Sequence, residues 1–182
     1  VVEDNPRYYS IILPLIYRTA LKHARVLINK SLSDIDRLLL FRARPKIILA
    51  SSYEEATHYY HKYRHNILGF ISDVRFPKNG KLNSHAGVKL VKYIREKDSD
   101  MPIVLQSTKP GYSKDAKKVN ASFIYKKSPT LLQDLEDFIV NNFGFGDFIF
   151  RNLRGKEISR ATDLPDFRKS LEKISVKSLK YH

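Results

Sequence analysis

The fold is predicted most clearly from one stretch, Ile67-Leu68-Gly69-Phe70-Ile71-Ser72-Asp73-Val74-Arg75-Phe76-Pro77. It begins with an apolar run of strand length, which then ends on the carboxylate of Asp73 and a proline-containing loop. This is typical of a buried strand that delivers a polar side chain at its carboxyl end. Met101 to Gln106 repeats the pattern and leads to Ser107, and Ser122 to Tyr125 leads to Lys126. Amphipathic stretches of helical length lie between these runs, and this alternation predicts βαβ units around a parallel sheet.

The remaining segments extend the pattern in both directions. Val1-Val2 predicts the end of a first strand, followed by Asn5 as N-cap and Pro6 at the first position of a long helix that Pro14 kinks. Lys46 to Ala50 predicts a further buried strand, which gives five strands and five main helices. The other main helices are predicted over Ser33–Arg42, Ser52–His65, Ala86–Glu96 and Thr130–Asn142. A short helix is predicted over Ser113–Asn120, and a loop with Pro77, Asn79 and Gly80.

The period changes after residue 142. Asp147 to Phe150 and Glu157 to Arg160 predict a β-hairpin, and Asp163 to Ile174 predicts one more helix. Gly144 and Gly146 lack the context of a dinucleotide-binding loop and predict a turn. We therefore expect one domain over residues 1–142, with an insertion around 24–44, and an extension over 143–182. The sequence starts without methionine and ends on Ser178-Leu179-Lys180-Tyr181-His182 without a stop signal for structure. We therefore expect a fragment whose extension links to a domain outside this chain.

Composition narrows the classes of function. The 182 residues include no cysteine, which excludes a disulfide scaffold and a thiol catalyst. The longest apolar run, Tyr8 to Tyr17, contains Pro14 and is far shorter than the ~20 residues of a membrane span. We expect a cytoplasmic protein without membrane contact. The formal charge of 33 − 19 = +14 is compatible with nucleic acid or acidic partners, but no helix-turn-helix pattern accompanies it, so nucleic-acid binding is disfavoured.

Chemically useful side chains stand at the ends of the predicted strands. They are Glu3, Asp4, Asp73, Ser107 and Lys126. Ligands of open α/β sheets bind at the carboxyl ends of the strands, so these side chains should meet at one edge. Carboxylates that converge there repel one another unless a cation lies among them, and Mg²⁺ suits such oxygen ligands. One carboxylate could then act as nucleophile toward a phosphoryl donor.

These motifs resemble the receiver domain of bacterial two-component response regulators, over about residues 1–142. Val1 to Asn5 is similar to the first strand and acidic pair of that family, and Ile71 to Pro77 to its phosphoacceptor strand and loop. Pro102 to Thr108 is similar to the strand that ends in the switch hydroxyl. Phe123-Ile124-Tyr125-Lys126 is similar to the switch aromatic and the invariant lysine.

The resemblance implies a flavodoxin-like three-layer α/β/α sandwich with a five-stranded parallel sheet of order 2-1-3-4-5. Asp73 would be the phosphoacceptor, with Ser107 and Lys126 contacting the phosphoryl group, and Ser107 with Phe123 would form the switch. The metal ligands for Mg²⁺ would be Glu3, Asp4, Asp73 and the backbone carbonyl of Arg75. No organic cofactor is expected.

The function implied is that of a regulatory phosphoacceptor in a phosphorelay, with self-phosphorylation and self-dephosphorylation as its only chemistry. The phosphoryl source would be a histidine kinase or a small phosphodonor. The downstream domain of the same longer chain would be a partner, and the resemblance also allows a homodimer.

Departures from the family pattern keep alternatives open. Besides the insertion, residues 78–85 lengthen the loop after Pro77, Thr108 replaces a smaller residue, and Lys127 stands where the family has proline. These features favour a pseudo-receiver, the same fold used as an interaction module without phosphorylation. The extension also resembles a receiver-like region ahead of pyruvate-binding, phosphotransferase-type domains. Arg75 occupies the position where aspartate-nucleophile phosphatases need a second aspartate, which argues against that class.

Alternatives also exist for individual residues. Thr108 is the second candidate for the switch hydroxyl, and Lys127 is the second candidate for the lysine. His58, His61 and His65 stand at helical spacing but within a basic, tyrosine-rich helix that supplies no carboxylate ligand. We therefore interpret the three histidines as a solvated helix face and not as a metal site.

Overall fold

The structure is a computed structural model that describes residues 1–30, 46–143, 148–151, 157–161 and 166–172. The helices are α1 (Pro6–Lys30), α2 (Tyr53–Tyr63), α3 (Ala86–Arg95), α4 (Ser113–Lys118) and α5 (Leu131–Asn142). The strands are β1 (Phe70–Asp73), β2 (Phe76–Lys78), β3 (Lys81–Asn83), β4 (Ile103–Ser107), β5 (Ser122–Tyr125), β6 (Phe148–Arg151) and β7 (Glu157–Ala161). Residues 166–172 are also helical.

The central sheet is parallel and has the order β1-β4-β5. Asp73 pairs with Gln106, and Ser107 pairs with Tyr125, so the three strands end at the same level. Each crossover between neighbouring strands contains a helix, as parallel pairing requires. The predicted α/β class and the three corresponding strands are confirmed.

The first segment of the chain joins this sheet through one residue. Val2 forms isolated parallel bridges to Ala50 on one side and to Ser72 on the other. Its amide donates to Ile71 O at 2.8 Å, and its carbonyl accepts the Asp73 amide at 2.8 Å. The sequence predicts full strands here, and among the described residues the central sheet has three.

Apolar residues alternate between the two faces of the sheet, which creates two cores. Phe70, Ile103 and Leu105 pack with Tyr60 and Val91 on the side of α2 and α3. The opposite face packs against α1 and α5, and its buried members are Ile12, Leu15, Ile16, Ile71, Val104, Ile124, Leu135, Phe138 and Ile139. Successive residues of a strand point to opposite faces, so each strand serves both cores.

Side-chain caps explain where two helices begin. The amide of Arg7 donates to Asn5 Oδ1 at 3.0 Å, which confirms Asn5 as the cap of α1. Ser52 caps α2 by accepting the Glu55 amide at 3.2 Å, and the Glu55 carboxylate accepts the Ser51 amide at 2.7 Å. The two hydrogen bonds form a capping box in which Glu55 accepts the amide of Ser51 and not, as usual, that of the cap residue Ser52.

Pro14 lies within α1, which continues as one helix to Lys30. The helix predicted over residues 33–42 lies outside the described residues.

The predicted loop after Asp73 is a β-hairpin, so the prediction is wrong for Pro77, which lies in β2, and agrees with the turn at Asn79 and Gly80. β2 and β3 pair antiparallel around these two residues, whose φ angles are 53° and 70°. Positive φ at both turn positions is the requirement of a type I′ hairpin turn. Lys78 Nζ lies 3.6 Å from the centroid of the Tyr53 ring, which holds the hairpin against α2.

The extension agrees with its prediction where the structure describes it. β6 and β7 pair antiparallel, and residues 166–172 are helical within the predicted range. Gly144 and Gly146 lie outside the described residues. Among the described helices, none combines the length and apolar character that a bilayer crossing needs.

Gly87 should be intolerant of any side chain because α3 approaches the end of β1 at this point. A Cβ on Gly87 would lie 2.3 Å from Asp73 O and 2.9 Å from Val74 Cα, both backbone atoms. We expect Gly87→Ala to lower the free energy of unfolding by about 2–3 kcal/mol, the cost of overpacking. Gly111→Ala is the matched control, since its Cβ would meet nothing within 4 Å. Urea unfolding measures both, and equal stability of the two variants would contradict this packing.

Candidate functional site

The polar residues predicted at the strand ends come together at the carboxyl edge of the sheet. Asp73 ends β1, Ser107 ends β4, and Lys126 follows β5 directly. They line one pocket of about 580 Å³ with Asp4, and Arg75 lines the same pocket. The parallel register explains this convergence, because the strands end at one level.

Lys126 occupies the centre of the site. Its Nζ lies 2.5 Å from Glu3 Oε2 and 3.2 Å from Asp73 Oδ2. The side chains of Lys126 and Glu3 are only 2% and 1% exposed, and that of Asp73 is 14% exposed. A charge removed from water needs an opposite charge close by, so these three side chains depend on one another.

Backbone amides orient both carboxylates that Lys126 contacts. The Asn5 amide donates to Glu3 Oε1 at 3.2 Å, so each oxygen of Glu3 has a partner. The Val74 amide donates to Asp73 Oδ1 at 2.8 Å, and it also approaches Gln106 O at 3.0 Å. Asp73 is thus held by an amide on one oxygen and by the ammonium on the other.

Three carboxylates form the candidate metal centre. Glu3, Asp4 and Asp73 each offer an oxygen, and these oxygens lie within 4.8 Å of one another. Glu3 is buried, Asp73 is half-buried and Asp4 is exposed, so the cluster opens to solvent on the side of Asp4. Carboxylate oxygens that converge with an open side suit Mg²⁺, which keeps several water ligands. The residues therefore fit this ion, and ligation by the Arg75 carbonyl stays a prediction.

Burial is the main influence on the pKa values of Glu3 and Asp73. It raises the pKa of the Glu3 carboxyl, and the nearby Lys126 ammonium opposes that rise. Burial likewise raises the pKa of the Asp73 carboxyl, while Lys126 and the Val74 amide favour its ionised form. Desolvation is the larger effect in both cases, so a cation bound here would stabilise the ionised form of both carboxylates.

The two hydroxyl candidates and the aromatic candidate lie in different surroundings. Ser107 is buried, and its Oγ accepts the Lys109 amide at 3.2 Å. Thr108 also lines the pocket, so both hydroxyls stay candidates. Phe123 is half-buried and packs against the core on the α2 and α3 side. Lys127 is exposed, whereas Lys126 carries the ion pairs, so the geometry places Lys126 at the centre of the pocket.

Three neighbours of the site were not singled out in the sequence. The Tyr8 ring lies against the Lys126 ammonium. The Val74 amide donates to the Asp73 carboxylate, and Gly87 lies close to the backbone carbonyl of Asp73. Gly87 lies early in a predicted helix, where a glycine is a recognisable signal of close packing. The position of Tyr8 depends on how α1 is rotated against the sheet, which sequence periodicity does not give.

The three histidines of the tyrosine-rich helix are not gathered around a common point. His61 hydrogen-bonds the Tyr93 hydroxyl, and His58 packs edge-on against Tyr59 at 5.5 Å between ring centroids. Within the described ranges, the cluster of Glu3, Asp4 and Asp73 is the one group of side chains suited to a metal. His58 and His61 lie on α2, whereas His65 lies in the 3₁₀ turn Arg64–Asn66 that follows it, so the helix predicted to reach His65 ends at Tyr63. All three histidines are exposed, which agrees with their interpretation as solvated surface.

No protein-family model matches this sequence, and no curated protein matches it at a significant level. The assignment of a function therefore rests on the motifs and on the geometry of this pocket.

The raised pKa values predict how stability depends on pH in metal-free buffer. Above the ordinary values of 4.5 for Glu3 and 3.8 for Asp73, the folded protein keeps protons that the unfolded chain has released. The stability that these two groups contribute should therefore fall as pH rises from the ordinary pKa of each carboxyl to its raised pKa in the folded protein. Asp73→Asn removes one of the two groups, so we expect the stability of this variant to fall less steeply than that of the wild type between acid and neutral pH.

Urea unfolding at a series of pH values in the presence of a chelator measures this difference. Asp100→Asn is the matched control, since Asp100 is exposed and lies apart from the pocket. If the stability difference between Asp73→Asn and the wild type did not change with pH, the raised pKa of the Asp73 carboxyl would be contradicted.

Proposed function

We propose that this chain is a receiver domain whose Asp73 accepts a phosphoryl group in a phosphorelay. The observation that carries the proposal is that Asp4 and Asp73 of the acidic cluster line one pocket with Ser107 and with Lys126. The buried Lys126 ammonium contacts Asp73 there. An acidic cluster alone is common on protein surfaces. A nucleophilic carboxylate that shares its pocket with a lysine and a hydroxyl is what phosphoryl transfer to aspartate requires.

The sheet supports the same assignment. With Ala50 and Val2 counted by their bridges, the lateral order of segments is Ala50, Val2, β1, β4 and β5. This corresponds to the flavodoxin-like order 2-1-3-4-5, with the first two strands reduced to short contacts. Helices α2 and α3 cover one face and α1 and α5 the other, as in a three-layer sandwich. We place the receiver domain at residues 1–142 and treat 143–182 as its extension.

The proposed reaction is an in-line displacement at phosphorus. A carboxylate oxygen of Asp73 forms the new bond to phosphorus as the bond to the donor's leaving group breaks. The leaving group departs with that bonding pair. It leaves as acetate from acetyl phosphate, or as neutral imidazole from a phosphohistidine whose other ring nitrogen has first taken a proton from solvent. Lys126 and the Ser107 hydroxyl would contact the oxygens of the transferred group. Mg²⁺ held by Glu3, Asp4 and Asp73 would supply charge neutralisation for the donor phosphate.

The consequence of phosphorylation would be a change of surface. A phosphoryl group on Asp73 adds negative charge beside Ser107, and the hydroxyl would move toward it. That movement frees space for Phe123, which packs next to β4, to shift inward. Coupling of this kind amounts to ~1–3 kcal/mol, enough to bias a contact with a downstream domain or a second copy. A histidine kinase or a small phosphodonor would supply the phosphoryl group.

One observation favours the pseudo-receiver as the second candidate. The ion pair of Lys126 with Glu3 is almost fully buried, so the site is partly neutralised without any metal. A protein that used this fold only to bind partners would need this ion pair for stability and would need neither a metal ion nor a phosphoryl group. Absence of phosphorylation would make this the better description.

Intact mass spectrometry after incubation with Mg²⁺ and acetyl phosphate tests the main proposal. We expect the wild type to gain the mass of one phosphoryl group, and Asp73→Asn to gain none because it lacks the nucleophile. Asp100→Asn should behave as the wild type. An unmodified wild type with acetyl phosphate and also with phosphoramidate would overturn the proposal in favour of the pseudo-receiver.

Mg²⁺ alone should stabilise the protein. At a concentration ~10-fold above its Kd, a ligand that binds only the folded state adds about 1.4 kcal/mol. We expect a saturable rise of the thermal midpoint in the wild type and a weaker response in Asp4→Asn, whose exposed side chain costs little to replace. An equal response to Mg²⁺ in Asp4→Asn and wild type would argue against Asp4 as a ligand.

A further inference from the structure

The Lys126 ammonium has a third neighbour besides its two carboxylates. Its Nζ lies 4.1 Å from the centroid of the Tyr8 ring. A cation over the face of an aromatic ring within ~6 Å is attracted by the negative π face, and more strongly when water is excluded. The Lys126 side chain is only 2% exposed, so this contact lies in the stronger regime.

Tyr8 reaches this position from the first turn of α1. The amide of Tyr8 donates to Asn5 O at 3.0 Å, so the start of the helix fixes its backbone close behind the acidic pair. Tyr8 is half-buried and lines the same pocket as Asp73 and Ser107. Its ring therefore forms part of the wall of the site.

The chemistry of the ammonium explains what such a wall contributes. An ammonium group has three hydrogens, and carboxylate oxygens of Glu3 and Asp73 lie near two of its sides. The ring attracts the positive charge without offering a further lone pair that would have to be displaced. Lys126 is thereby held in place yet stays available to the oxygens of a group on Asp73.

We propose that Tyr8 is a positioning residue, which holds the Lys126 ammonium against Asp73 through the face of its ring. The role in phosphoryl transfer rests on the proposed function, because it acts on the lysine of that reaction. The contact uses the ring and not the hydroxyl, so phenylalanine should replace tyrosine, whereas leucine should not.

The rate of phosphorylation by acetyl phosphate is the functional readout, followed by intact mass. We expect Tyr8→Leu to phosphorylate ~30-fold more slowly than the wild type, which is the size of a desolvated cation–π contact. Tyr8→Phe should stay within about twofold of the wild type. Tyr9→Leu is the matched control, because Tyr9 is the next residue of α1, is also half-buried, and is not part of the pocket lining.

A second readout needs neither metal nor phosphodonor. Protons next to the Lys126 nitrogen, lying over an aromatic face, should show an upfield ring-current shift in the NMR spectrum of lysine-labelled protein. The signal is assigned by its loss in Lys126→Arg. It should stay shifted in Tyr8→Phe and in Tyr9→Leu, and it should return to the range of the other lysines in Tyr8→Leu.

The outcomes separate this inference from the function on which it rests. Slower phosphorylation and loss of the ring-current shift in Tyr8→Leu alone would support the role of Tyr8. If the wild type and Tyr8→Leu were phosphorylated at the same rate, the role of Tyr8 would be overturned and the receiver function would still hold. Failure of the wild type to become phosphorylated would overturn both, while an unshifted Lys126 signal would by itself refute the ring contact.

Discussion

The buried ion pairs of Lys126 are the interaction on which the site and its surroundings depend. Lys126 and Glu3 are 123 positions apart in sequence, yet their side chains form a contact that is almost free of solvent. Asp73, at the end of another strand, completes the arrangement. Removing one partner of such a buried group typically costs ~3–5 kcal/mol, because the remaining charges lose their compensation. Lys126 thus links the start of the chain, β1 and β5 at one edge of the sheet.

The same charges connect stability to the function we propose. Burial disfavours ionised Glu3 and Asp73, and Lys126 compensates for only part of that cost. A site of this kind is not at its electrostatic optimum when empty, so it gains from a cation among the carboxylates. Asp73 is held by the Val74 amide and by Lys126, and Gly87 leaves the backbone around it closely packed. The carboxylate that we propose as the nucleophile is therefore held in a defined orientation.

Sequence reasoning identified the centre of the site because parallel strands impose a simple rule. A polar residue that directly follows a buried apolar run lies at the sheet edge, and this rule located Asp73, Ser107 and Lys126. It did not locate the β2–β3 hairpin, because Phe76-Pro77-Lys78 lacks strand alternation and its support comes from Tyr53 and Glu54 on a separate helix. It also overestimated the first two strands, whose extent depends on pairing partners and not on local apolar character. The ring of Tyr8 was beyond its reach, since periodicity does not fix how a helix is rotated against its sheet.

Reductive trapping of the phosphorylated protein identifies which carboxylate accepts the phosphoryl group. Borohydride converts an aspartyl phosphate to homoserine, and tandem mass spectrometry of the digested protein then identifies the residue that carried the phosphoryl group. After incubation with Mg²⁺ and acetyl phosphate, the site geometry predicts homoserine at position 73 and at no other carboxylate. Homoserine at another position such as Asp4, or at none, would contradict the assignment of Asp73 as the nucleophile.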